Sequence, residues 1–125
     1  MVSSISALSA TEIAGQIRAN WAQAKNNYLA AIKPYESQPA YAGLLTQYTA
    51  ALNNTGTTLE QYLTLKLAKP APPATAVTPV IDQLIKDLAA LRTLNGQATG
   101  PLVNVLGAAL AQHSQTAQTA LKNMR

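Results

Sequence analysis

The stretch KPAPPATAVTP, residues 69–79, holds four of the chain's seven prolines. Proline has no amide proton to give a helix and turns the preceding residue away from helical angles. The sequence on both sides reads as amphipathic helix. Residues 69–79 are therefore predicted to be a proline-rich linker between two helical halves. Closely spaced prolines favour an extended, polyproline-like path of about 3 Å per residue. Such a segment is stiff enough to act as a crossover along a helical bundle.

Upstream of the linker, Thr57 to Glu60 has capping-box spacing and predicts a short helix over 57–69. It carries Leu59, Tyr62, Leu63, Leu65 and Leu67, which do not share one narrow stripe, so it is expected to present apolar surface on two sides. Before it, NNTG at 53–56 reads as a helix stop. A helix over 39–53 precedes that stop, with Pro39 in its first turn. The first helix is predicted over 9–33, opened by a capping box at Ser9 and Glu12 and closed before Pro34. Ile13, Ile17, Trp21, Ala24, Tyr28 and Ile32 recur there at steps of three and four, which makes one apolar face. At about 36 Å this helix should set the long dimension.

Downstream, Thr78 and Pro79 read as N-cap and first helical residue of a helix over 79–95, closed by Asn95 and Gly96. Ile81, Leu84, Ile85, Leu88, Leu91 and Leu94 form its apolar pattern. A last helix is expected over 101–123, with its polar stretch 112–118 either exposed or meeting a polar surface in an assembly. The fold class is all-α: an antiparallel four-helix bundle with one additional short helix and a proline-rich crossover linker. Residues 1–125 form a single helical domain, a size at which folding buries about two thirds of the unfolded chain's surface.

Charged residues make up 11% of the chain, against an ordinary value of about 25%. Ala, Thr, Asn and Gln stand where Lys and Glu usually keep soluble monomers apart, so self-association into a homo-oligomer is expected. The net charge of +4 comes from nine basic and five acidic residues. That is too sparse for a dedicated base-reading surface but allows non-specific contacts to a phosphate backbone. Candidate nucleic-acid contacts are Arg18, Lys25, Lys33, Lys66, Lys69, Lys86 and Arg92. All five tyrosines and the only tryptophan lie in the first 62 residues. Tyr28, Tyr35, Tyr41, Tyr48, Tyr62 and Leu65 are the candidate interface residues, since aromatic groups with a polar tip suit places where apolar surface meets a partner.

Catalytic chemistry finds little to stand on. The chain has no cysteine and one histidine, His113, with no acidic residue three or four positions away, so no metal site and no cofactor are expected. Glu12 and Glu60 read as helix-start residues. Glu36, Asp82 and Asp87 form no acid/base pair or calcium loop. No Gly-x-Ser-x-Gly turn and no glycine-rich phosphate loop is present. The chain is therefore read as non-enzymatic. The first ten residues lack a basic region and a continuous apolar run, so no standard signal peptide is expected. The most apolar run, 101–111, contains Asn104 and is too short to span a membrane.

The leading expectation is a structural self-assembling subunit of a virion or an extracellular assembly. A small helical coat or filament protein of a filamentous virus combines the same traits, an analogy of architecture only. The alternative expectation is a helical adaptor or ligand-binding module that uses an aromatic groove between the first two helices.

Overall fold

A computed structural model describes residues 9–124, which fold into four helices. These are α1 (Ala10–Ile32), α2 (Pro39–Leu67), α3 (Ala74–Asn95) and α4 (Leu102–Asn123), with a single 3-10 turn at Lys33–Tyr35. Six residues separate each helix from the next. Connections this short make sequential helices antiparallel neighbours. Side chains confirm the sense for the first pair: Arg18 bonds Glu60, whereas Tyr28, further along α1, meets Thr49, further back on α2. Within this bundle α1 packs chiefly on α4 and α2 chiefly on α3.

Helix α1 starts where its sequence dictates. The Ser9 hydroxyl accepts from the Glu12 amide and the Glu12 carboxylate accepts from the Ser9 amide, both at 3.1 Å. The Ser9 amide holds the Glu12 carboxyl below its ordinary range, with further help from the Ser9 side chain. Ala14, Ile17, Ala24, Tyr28 and Ile32 are buried along one face.

Helix α2 corrects the expectation of a stop at 53–56 and a separate short helix over 57–69. The helix is continuous for 29 residues, about 43 Å, and is the longest element. The reason is a buried seam at 45, 48, 52, 55, 59 and 62, alternating steps of three and four straight through the suspected stop. Thr55 supplies the link in that seam, its hydroxyl bonded back to the Ala51 carbonyl at 2.8 Å. Thr58 Oγ1 stands 2.6 Å from Asp87 Oδ2 on α3 and 3.1 Å from the Asn54 carbonyl. With one proton to give, the hydroxyl donates to the carboxylate, the shorter contact. Burial of Leu52, Leu59, Tyr62 and Leu63 outweighs the roughly 1 kcal/mol that one glycine costs a helix.

The proline linker is correspondingly shorter than 69–79. It occupies 68–73 and joins α2 to α3 at one end of the bundle, so it does not run along the bundle as a crossover. Pro73 takes the N-cap position and α3 begins at Ala74, five residues before the predicted start at Pro79. Val77, which the linker reading left outside a helix, is buried and joins Leu84, Leu88 and Leu91 in the core. Pro79 sits in the second turn, where its missing amide leaves one carbonyl, that of exposed Thr75, without its intrahelical donor.

In α4 the stretch 112–118 is exposed at Gln112, Gln115 and Gln118 but not throughout. His113, Thr116 and Ala117 continue the buried face of Leu102, Leu106 and Ala109. Gly100, just before α4, has φ +55° and lies beside the Tyr41 hydroxyl; a side chain there would be strained and crowded.

Aromatic packing fills the middle of the core. The rings of Tyr28 and Tyr48 lie 5.3 Å apart. Tyr28 Oη is 2.9 Å from Thr49 Oγ1, whereas the buried Tyr48 hydroxyl has no hydrogen-bond partner. Burial raises the Tyr48 phenol far above its ordinary value, so it stays neutral. A buried, unpaired hydroxyl costs about 1–3 kcal/mol. Tyr48→Phe is therefore expected to raise stability by about 1 kcal/mol in urea denaturation, and Tyr28→Phe to lower it by a similar amount through loss of the Thr49 bond. A clear loss of stability in Tyr48→Phe would show that its hydroxyl has a partner after all.

Candidate functional site: a groove between α1 and α2

Because α1 leans on α4 and α2 on α3, the seam between α1 and α2, like that between α3 and α4, is packed more lightly. A groove of about 920 Å³ opens along it. Trp21 and Lys25 line it from α1, Asn53, Gly56, Gln61 and Leu65 from α2, and Val80 reaches in from α3. A smaller cleft beside it is bounded by Arg18, Trp21, Leu59 and Leu63.

Trp21 fixes the shape of this groove. Its ring meets that of His113 edge-on, with centroids 4.5 Å apart. Gly56 on α2 also stands so close that a Cβ there would lie 2.8 Å from Trp21 Nε1. The indole thus fills a slot between α2 and α4 that exists only because position 56 has no side chain.

Behind the tryptophan, His113 is fully buried. Its Nδ1 is 2.7 Å from the Ala109 carbonyl, which makes Nδ1 the protonated nitrogen and donor. Nε2 is buried without a partner. Burial pushes the imidazole below its ordinary value, and the nearby positive charge of Lys25 pushes the same way, against the Ala109 bond.

On the rim, Arg18 and Glu60 form a two-pronged ion pair, Nε to Oε1 at 2.8 Å and Nη2 to Oε2 at 2.6 Å. The Arg18 hydrogen bond holds the Glu60 carboxyl below its ordinary range and raises the Arg18 guanidinium in return. The pair is exposed, so its net contribution is about 1 kcal/mol or less. Glu60, read from sequence as a helix-start residue, is thus a mid-helix partner of Arg18.

The structure disperses the candidate nucleic-acid contacts. Arg18 is occupied by Glu60, and Lys25 faces the groove. Lys66 and Lys69 lie at the α2–α3 end of the bundle, whereas Lys33 and Arg92 lie toward the opposite end, with exposed Lys86 in the middle of α3. Among the candidate interface residues, Tyr28, Tyr48 and Tyr62 are buried in this chain's own core and present no contact surface. Tyr35 and Tyr41 are half-buried and pack edge-on against one another, with ring centroids 5.9 Å apart. Leu65 lines the groove. The aromatic wall of the α1–α2 groove is Trp21; no tyrosine lines it.

Sequence reasoning did not pick out Gly56, Asn53, Gln61 or Val80 as site residues. The available signal was the seven-residue seam of α2, which places 53, 56 and 60 together on the flank beside the buried positions. Among the described residues, no group of three or more His, Asp or Glu is placed to hold a metal ion, and no helix is long and apolar enough to cross a membrane. No protein-family model, curated protein or solved structure matches this chain.

Proposed function

We infer that this chain is a non-enzymatic helical ligand-binding module whose site is the α1–α2 groove. The groove itself carries this reading. Its volume of about 920 Å³ falls in the range of about 300–1,000 Å³ typical of small-molecule sites. Its walls combine the Trp21 ring and the aliphatic Ala22, Leu65 and Val80 with six polar or charged side chains. Carbon atoms make up most of the exposed lining, a mixture able to give affinity and orientation. Trp21, which lines the groove, also packs on buried His113 and closely approaches Gly56.

Trp21 is the only tryptophan, so its emission reports on the site directly. An uncharged, environment-sensitive dye such as Nile red is expected to bind saturably, brighten and quench Trp21. Thr57→Glu places a charge on the exposed groove wall and should weaken that binding about tenfold, the equivalent of about 1.4 kcal/mol. Equal dye binding by the variant, or no Trp21 response at all, would overturn the reading.

Self-assembly is a second reading, favoured by the low surface charge and by Ile85 and Val103, which are 49% and 53% exposed. These two residues lie on α3 and α4. Light scattering across a wide range of protein concentration, with and without DNA, separates the two. Large species at high concentration would favour the assembly.

A further inference from the structure

We propose that the ligand of the α1–α2 groove is a single-chain amphiphile with a carboxylate head, held by Lys25 at one end and by Leu65 and Val80 at the other. This rests on the reading of the groove as a ligand site and adds the chemical class.

The register of α1 against α2 gives the groove a direction. Trp21 lies on Gly56 and Arg18 on Glu60, so advancing along α1 means moving back along α2. Lys25, one turn after Trp21, therefore falls at the end of the groove where Asn53 stands. Leu65 and Val80 mark the far end. From Asn53 to Leu65 the α2 wall is about 18 Å long. One end thus offers a cation and an amide, and Trp21 follows one turn along. Leu65 and Val80 close the other end, with Thr57, Gln61 and Thr64 on the α2 wall between.

The charges around the groove decide the head group. Glu60 is its only acidic lining residue, and that carboxylate is already bonded to Arg18. Lys25 has no ion pair among the described residues. The groove therefore presents one uncompensated positive charge, at one end. A compact ammonium matches a singly charged carboxylate; a phosphate head, with its larger charge, is better served by several donors or by a guanidinium fork. The exposed lining is mostly carbon despite the threonines and glutamine in it, so small polar anions, which would leave most of it wet, are not the preferred ligand.

The test uses the full chain and Trp21 emission. Dodecanoate, dodecyl maltoside and dodecyltrimethylammonium are titrated below their micelle concentrations into wild type, Lys25→Met and Lys25→Glu. Lys25 is half-exposed, so both variants are expected to fold, and thermal melts check this. Dodecanoate should bind about tenfold more tightly than the maltoside in wild type, as one charge-assisted contact provides. That advantage should vanish in Lys25→Met, and Lys25→Glu should prefer the cationic amphiphile.

Equal affinity for all three head groups, or an unchanged dodecanoate affinity in Lys25→Met, would overturn the carboxylate proposal and leave the ligand groove standing. If no amphiphile and no Nile red perturbs Trp21, both fall together. A saturable Trp21 response confined to an added amphipathic helical peptide would reassign the groove to a protein partner and overturn the proposal.

Discussion

Gly56→Leu is expected to destabilise the protein by about 2 kcal/mol and to shift Trp21 emission to the red. Two opposing effects set that figure. Removing a glycine from the middle of α2 favours the helix by nearly 1 kcal/mol. Against this, the new Cβ alone would stand 2.8 Å from Trp21 Nε1 and 3.3 Å from Cε2. Both are closer than ordinary van der Waals contact, and the rest of the leucine has still to be placed. The buried His113 ring packs edge-on against the indole, so displacing Trp21 also disrupts a contact with the core. Overpacking of this kind costs about 1–3 kcal/mol, or more where a bulky ring must leave its place.

Gly43→Ala supplies the comparison. That glycine is in the same helix, exposed, and a Cβ there would meet nothing within 4 Å. Only the propensity effect operates, so Gly43→Ala should gain about 1 kcal/mol. Urea denaturation of the two variants reads the contrast. A Gly56→Leu protein as stable as wild type, with unchanged emission, would mean that Trp21 does not occupy the slot described.

The same glycine explains where the sequence could and could not be read. Helix boundaries governed by local chemistry were legible. The capping box at Ser9, Pro34 after Ile32, Pro39 at the start of α2 and Gly96 after Asn95 all mark observed boundaries. The stop expected at 53–56 failed because Asn, Asn, Thr and Gly are weak helix formers only until tertiary contacts act. Thr55 was counted as a turn residue, yet its methyl group and bonded hydroxyl suit a buried seam position. Admitting Thr55 to the seam restores an unbroken heptad from Leu45 to Tyr62, which was present in the sequence all along.

The early start of α3 has a similar cause. Prolines at 72 and 73 define the true boundary, while Pro79, one turn later than the first-turn position it was assigned, is tolerated because the carbonyl it leaves unpaired is near the surface. For the site, Lys25 and Leu65 were singled out and both line the groove, though neither was singled out for that reason. The tyrosines mostly point inward instead: a polar-tipped ring suits an interface, but Tyr28, Tyr48 and Tyr62 are spent on the core of this chain. The pairing of Trp21 with Gly56 joins residues 35 positions apart and leaves no local signature.

Acidification below pH 6.5 is expected to destabilise the wild-type protein, and His113→Leu should remove that dependence. The folded imidazole titrates below its ordinary value of 6.5, chiefly because it is buried. Above pH 6.5 the histidine is neutral in folded and unfolded chains alike, and its contribution to stability is fully present. As the pH falls below 6.5, the unfolded chain takes up a proton that the folded chain refuses, so stability declines. The loss continues until the folded pKa is passed, with a limiting slope of about 1.4 kcal/mol per pH unit.

Geometry gives the physical cause of that refusal. Nδ1–H is already committed to the Ala109 carbonyl, so the added proton would sit on Nε2, a buried nitrogen with no acceptor. The positive charge of Lys25 on α1 adds repulsion. The Glu12 and Glu60 carboxyls are held below their ordinary 4.5 by hydrogen bonds, so their own loss of stability comes at lower pH. Urea midpoints followed by Trp21 emission between pH 8 and pH 5 measure the effect at the ring that rests on His113. A flat wild-type profile across that range, or an equal slope in His113→Leu, would show that this imidazole accepts its proton without leaving the core.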